Sequence, residues 1–187
     1  MEIVPLGIEG AWLARSPIWN DERGSFREWF KVSEIYLATK IKFNVQQSNI
    51  SNSKLGVVRG IHYSLTPGGQ AKWVTCVTGF TRDVIVDIRP SSPTFGSYVA
   101  VDLHGNSGDA VFVAPDLGHG FVSLEENSTV AYLVSSPFSP DEEFAINPLD
   151  PAIGIDWGIP VVELLLSPKD LVAPSLAERR QQGKLPS

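Results

Sequence analysis

The chain has 187 residues, 43% of them hydrophobic and 19% charged, and a formal net charge of −6. That length supports one domain with a substantial core and falls short of two full ones. The acidic balance excludes a general affinity for nucleic acid or anionic membrane, and no apolar run reaches the roughly 18 residues of a membrane span.

The opening segment, Met1–Trp12, lacks the basic start and apolar stretch of a signal peptide. Cys76 is the only cysteine, so no internal disulfide can form, and a reducing cytoplasm is the expected compartment. Along the chain, the first thirty residues read as extended segments around a turn at Asn20–Gly24. Residues 31–39 read as a helix. Strand-like runs follow at 55–63, 72–78, 82–89, 97–103, 110–114 and 128–134, separated by Gly- and Pro-rich turns such as Thr66-Pro67-Gly68-Gly69. Residues 174–183 read as a short surface helix. Many short strands at this spacing predict a mainly β sandwich or barrel.

Period-two alternation assigns faces. Val84, Val86 and Ile88 share one face, with Asp83, Ile85, Asp87 and Arg89 on the other. Lys72, Val74 and Cys76 oppose Trp73, Thr75 and Val77, and Tyr132 aligns with Val130 and Val134. Single polar groups among apolar neighbours are the pattern of a ligand-binding barrel interior.

The histidines are His62, His104 and His119; His104 precedes a Gly-Asn-Ser-Gly turn and reads as an exposed loop residue. A metal-binding jelly roll would need three or four protein ligands. Here Ser64 stands two residues after His62, and only Gln70 approximates the acidic ligand, so no metal is expected. Arg23, Arg27 and Arg59 are candidate anion ligands; Arg59 lies inside an apolar strand, where a buried guanidinium needs an anionic partner. Cys76 reads as a buried structural thiol. No phosphate loop, nucleophile elbow or Gly-x-Gly-x-x-Gly turn occurs.

Ordered blocks then carry a resemblance: DERGSFREWF at 21–30, QQSNIS at 46–51, GVVRGIHY at 56–63, QAKWVTCVTG at 70–79, DVIVDIRPSSPTFG at 83–96, LGHGF at 117–121, YLVSSPFSPDEE at 132–143, INPLDP at 146–151, IDW at 155–157 and LSPKD at 166–170. Over about residues 1–170 the chain resembles the dTDP-4-dehydrorhamnose 3,5-epimerase family. The resemblance implies a cupin-type jelly roll, or double-stranded β-helix, with a few short peripheral helices. It implies one domain over 1–187: an N-terminal arm to about 45, a barrel core over 46–145 and a C-terminal segment over 146–187. It further implies a homodimer, no metal or organic cofactor, and a dTDP-4-keto-6-deoxyhexose substrate inverted at C3 and C5 through enolates.

Carried over by motif, His62 resembles the base that takes the α-proton, Asp170 the carboxylate that orients it, Lys72 the cation beside the developing O4 oxyanion and Tyr132 the acid on the opposite face. Arg23, Phe26, Glu28, Gln47, Ser48, Asn49, Arg59, His119, Phe138, Glu143 and Lys169 resemble the substrate contacts, with the segment around Arg23 reaching toward the partner subunit. Phe138 stands where relatives often have Tyr, keeping a stacking face without the hydroxyl. Ser48 stands where some have Asp. The alternatives are a C3-only epimerase of another deoxysugar pathway and a non-catalytic sugar-nucleotide-binding cupin.

Overall fold

A computed structural model describes residues 1–186. The strands are β1 (Glu2–Pro5), β2 (Ala11–Arg15), β3 (Trp19–Asp21), β4 (Gly24–Phe26), β5 (Gln47–Ser53), β6 (Val58–Ser64), β7 (Lys72–Thr78), β8 (Phe80–Asp87), β9 (Tyr98–His104), β10 (Asp109–Val113), β11 (Leu117–Ser123), β12 (Ser128–Val134) and β13 (Glu143–Ala145). Helix α1 (Val32–Thr39) precedes β5, and α2 (Pro168–Leu171) and α3 (Leu176–Gln181) follow a 3₁₀ turn at Val161–Glu163. Two antiparallel sheets face each other, ordered β1-β2-β10-β7-β12-β5 and β13-β6-β11-β8-β9, and β3 and β4 form a separate hairpin. This is the expected mainly β, cupin-like jelly roll.

The alternation along β7 and β8 explains the layering. Val74, Cys76 and Ile85 point between the sheets and pack with Val111, Val113, Phe121 and Val130. Trp73 points outward, with Phe112, beneath Ile35 of α1 and Phe43, and its indole N–H donates to the Trp29 carbonyl at 2.9 Å. Val84, Val86 and Ile88 point outward on the other sheet and pack under Ile146, Trp157 and Leu176. The N-terminal arm therefore covers one sheet and the C-terminal segment the other. The middle of the sandwich supplies a site without having to supply all of the core.

The helix expected at 31–39 forms at Val32–Thr39, and the strand expected at 72–78 has those bounds. The strand expected from 55 begins at Val58, because Gly56 turns the chain at a φ of 81°. Two strands carry no clear sequence signal. β5 reads QSNISNS, polar but for the exposed Ile50, because one of its faces meets water and the other lines the cavity. β11 begins LGHGF, whose glycines keep it out of the strand-like runs of the sequence. They are there because β6 and β11 run unusually close: a Cβ at Gly60 would lie 2.5 Å from Gly120 Cα, and Gly60 has a φ of 139° that side chains rarely adopt. The β6–β11 register shifts between His119 and Phe121, at this same contact.

The DIRPSSPT segment closes on itself. Asp87, wholly buried, accepts hydrogen bonds from the Arg89 guanidinium and the Ser92 and Thr94 hydroxyls. Burial pushes its carboxyl up, yet these donors outweigh burial and hold it down to about 2. Cys76 is buried and unpaired, and His104 stacks on Phe80 at the exposed end of β9.

Candidate active site

A cavity of about 760 Å³ opens between the two sheets. His62 of β6 and His119 of β11 line it from the five-stranded sheet, and Lys72 of β7 and Tyr132 of β12 from the six-stranded one. Alternation places each of them: Lys72 shares the inward face of β7 with Val74 and Cys76, and Tyr132 shares that of β12 with Val130.

His62 Nε2 lies 2.7 Å from Asp170 Oδ1, a partner 108 residues away. The carboxylate arrives on a short capped turn. Ser167 is the N-cap of α2 with Pro168 behind it; its hydroxyl accepts from the Asp170 N–H at 3.1 Å and donates to Asp170 Oδ2 at 2.8 Å. LSPKD is thus a cap that aims a carboxylate, and Ser167 joins the site as a residue the motif reading missed. Its signal was the Ser-x-x-Asp spacing of a capping box. Burial pushes the Asp170 carboxyl up. The hydrogen bond and charge of His62, with the Ser167 hydroxyl, overcome that and leave it below the usual range.

Lys72 is 7% exposed and donates from Nζ to the His62 carbonyl oxygen at 3.2 Å, reaching from one sheet to the other. Burial drives its amine down to about 8, against the pull of the Glu143 and Asp83 carboxylates. Tyr132 is half-buried, and its phenol is raised by that burial, opposed by the Arg59 charge.

The cavity also gathers Gln47, Asn49, Arg59, Phe138, Glu143 and Lys169. The Gln47 amide donates to Asn49 Oδ1 at 2.8 Å and accepts from the Phe138 N–H at 3.0 Å, tying β5 to the rim. Gln70 lies buried beside Glu143 and holds the Ser136 carbonyl. Arg59 corrects an expectation. It is exposed, not buried in its strand, and donates to Ser53 Oγ and the Asn52 carbonyl, with no carboxylate partner among the described residues, and its charge faces the cavity mouth.

Four predicted contacts lie elsewhere. Ser48 sits on the opposite face of β5 from Gln47 and Asn49, because successive side chains alternate. Arg23 pairs with Asp21 on the β3–β4 hairpin, its side chain 89% exposed. Phe26, 66% exposed, packs against Trp19 across that hairpin. Glu28 pairs with Lys31 at 3.1 Å. None of these four lines the cavity of its own chain. Among the described residues no group of three His, Cys, Asp or Glu side chains is placed to hold a metal ion, and no helix is long and apolar enough to cross a membrane.

A histidine held by a buried carboxylate, a buried ammonium and a phenol on the facing wall can together take a proton from carbon, steady an oxyanion and return a proton from the other side. Comparison with known proteins agrees with that chemistry. The chain is 44% identical to a Streptomyces dTDP-4-dehydro-6-deoxyglucose 3-epimerase over 98% of its own length and 93% of the relative's. It is 43% identical to a dTDP-4-dehydrorhamnose 3,5-epimerase of Mycolicibacterium smegmatis, over 97% and 89% respectively. Its fold superposes with a TM-score of 0.95 on a 4-keto-6-deoxy sugar epimerase from the novobiocin biosynthetic gene cluster of Streptomyces spheroides, 43% identical, covering all of this chain and 93% of that one. With residues 5–178 matching the family profile as well, the chain belongs to the dTDP-4-dehydrorhamnose 3,5-epimerase family of isomerases.

Proposed function

We infer that the protein epimerises a dTDP-4-keto-6-deoxyhexose, dTDP-4-keto-6-deoxy-D-glucose in the first instance, at C3 and C5. The observation that carries this reading is the placement of His62 with Asp170 on one wall of the cavity and Tyr132 on the other, with the Lys72 ammonium reaching across.

The 4-keto group makes the neighbouring C–H bonds acidic. His62, oriented by Asp170, removes the proton, and the electron pair moves onto O4 to form an enolate. Lys72 stabilises the oxyanion in a site where water is largely displaced. A proton from the Tyr132 hydroxyl then reaches the carbon from the opposite face, and the configuration inverts. Once His62 has released its proton to solvent and Tyr132 has regained one, repetition at the second carbon gives dTDP-4-keto-L-rhamnose, with no step that needs a cofactor.

Arg59 and Lys169 at the mouth suit the diphosphate, and Phe138 offers an aromatic face to the thymine. Arg23, Phe26 and Glu28, outside their own cavity, suit the site of a second copy, so the active form is read as a cytoplasmic homodimer of one-domain subunits. A C3-only epimerase is the second reading, favoured by the 44% identical 3-epimerase.

Tyr132→Phe tests the division of labour. Without the phenol, His62 can still remove the proton and return a solvent-derived one to the same face. The expected result in D2O is deuterium at the acidified carbon with little inverted product. Inversion that keeps pace with exchange would show that another group delivers the second proton.

A further inference from the structure

A second histidine–carboxylate pair lies beside the first. His119 is cross-strand neighbour to His62 in the β6–β11 ladder, and its Nε2 lies 2.9 Å from Asp83 Oδ2. Asp83 is 1% exposed on β8 and shares the inward face with Ile85. Its other oxygen, Oδ1, has no hydrogen-bond partner among the described residues. A carboxylate buried with half its accepting capacity unused is unfavourable for folding. Packing does not call for one, since the surrounding interior is built of Val, Ile, Leu and Phe side chains.

What the carboxylate does is set by its neighbours. An ionised carboxylate only accepts hydrogen bonds, so a His119 ring held by it carries its proton on Nε2 and keeps Nδ1 as an acceptor. Lys72 feels the same charge: it projects from the inward face of β7 into the cavity His119 lines, and its ammonium has three donors and uses one, on the His62 carbonyl. The titratable or charged groups around it are His62 and Arg59 on β6, Asp83 on β8, His119 on β11, Tyr132 on β12, Glu143 on β13, and Lys169 and Asp170 on α2. Of the carboxylates, Asp170 is engaged by His62 and Ser167; Asp83 and Glu143 act on the Lys72 charge, and Asp83 is the more buried of these two.

We propose that Asp83 is a positioning residue of the epimerase: it fixes His119 in the Nε2–H tautomer facing the sugar and keeps a negative charge behind the Lys72 ammonium. The proposal rests on the epimerase reading for its consequence and on the Asp83–His119 geometry for its premise. The buried carboxylate serves Lys72 by opposing the loss of its proton, so that the oxyanion meets a cation.

Two measurements on substrate-free protein test the premise independently of catalysis. In wild type, ¹⁵N NMR of the neutral His119 ring should show the proton on Nε2. Lys72, followed by ¹³Cε NMR, should titrate near 8 in wild type and about one unit lower in Asp83→Asn. In the enzyme, the alkaline limb of kcat should move down in pH with that midpoint, while affinity for dTDP stays as in wild type. A His119 ring protonated on Nδ1, or a Lys72 midpoint unmoved by the substitution, overturns the proposal. So does a fall in kcat accompanied by lower thermal stability and an unmoved limb, which is what a purely structural role would give. If Asp83→Asn does not fold, Asp83→Ser takes its place, and the wild-type tautomer decides in either case. A wild-type enzyme that exchanges no substrate hydrogen while both NMR results hold refutes the epimerase reading and leaves the Asp83 linkage standing.

Discussion

His62→Asn should slow deuterium exchange into the 4-keto sugar by about 10²–10⁴-fold, the usual contribution of a positioned general base, without changing the affinity for dTDP. The amide can still donate to Asp170 Oδ1, so the buried carboxylate keeps a partner and the fold is not asked to absorb an unpaired charge. What is lost is the imidazole that Asp170 orients and that accepts the proton from carbon. The check is exchange measured beside dTDP binding and thermal unfolding. Exchange at the wild-type rate would remove His62 from the reaction and turn the His62–Asp170 pair into a structural contact.

Lys72→Met carries the second large effect, and its sign differs between activity and stability. Activity should fall by about 10²–10³-fold, as when an oxyanion donor is removed. Stability should not fall. The folded amine titrates near 8 and the unfolded one at the ordinary 10.5, so the native state is penalised below about pH 8 and the penalty fades as pH rises toward 10.5. At neutral pH that penalty is roughly 3 kcal/mol, part of which returns as Glu143 and Asp83 lose their cation. Met has similar length and no charge to bury, so thermal unfolding should occur at the wild-type temperature or above it. The same titration predicts that wild-type kcat declines as pH rises through about 8, where the ammonium is lost. Inactivation that tracks a loss of stability would mean that Lys72 holds the barrel together and does not act on the substrate.

Much of the site was legible in the sequence because a barrel interior alternates. Lys72 beside Val74 and Tyr132 beside Val130 follow from period two alone. Asp83 alternates onto the same face as Ile85, yet nothing local says that it meets His119, on a strand outside the strand-like runs of the sequence. Asp170 lies 108 residues from His62, so only the resemblance could join them; the Ser167 cap that aims it is visible in LSPKD once α2 is known. The most conspicuous block, DIRPSSPTFG, is largely a structural clamp around Asp87 and carries no chemistry. Ser48 and Arg59 show the limit of reading motifs without strand phase. Ser48 belongs to the right strand but to the face turned from the cavity, and Arg59 belongs to an apolar run yet stands exposed at the cavity mouth. The β3–β4 hairpin carries Arg23 and Phe26 exposed and away from the cavity of its own chain, which local pattern does not foretell.

The measurement that tests the central claim most directly is incubation of the wild-type protein with dTDP-4-keto-6-deoxy-D-glucose in D2O, following C3 and C5 by NMR. The predicted result is deuterium at both carbons with inverted product. Deuterium at C3 alone would keep the chemistry and assign the protein to the one-carbon epimerases. No deuterium at either carbon, with the nucleotide sugar bound, would contradict the account.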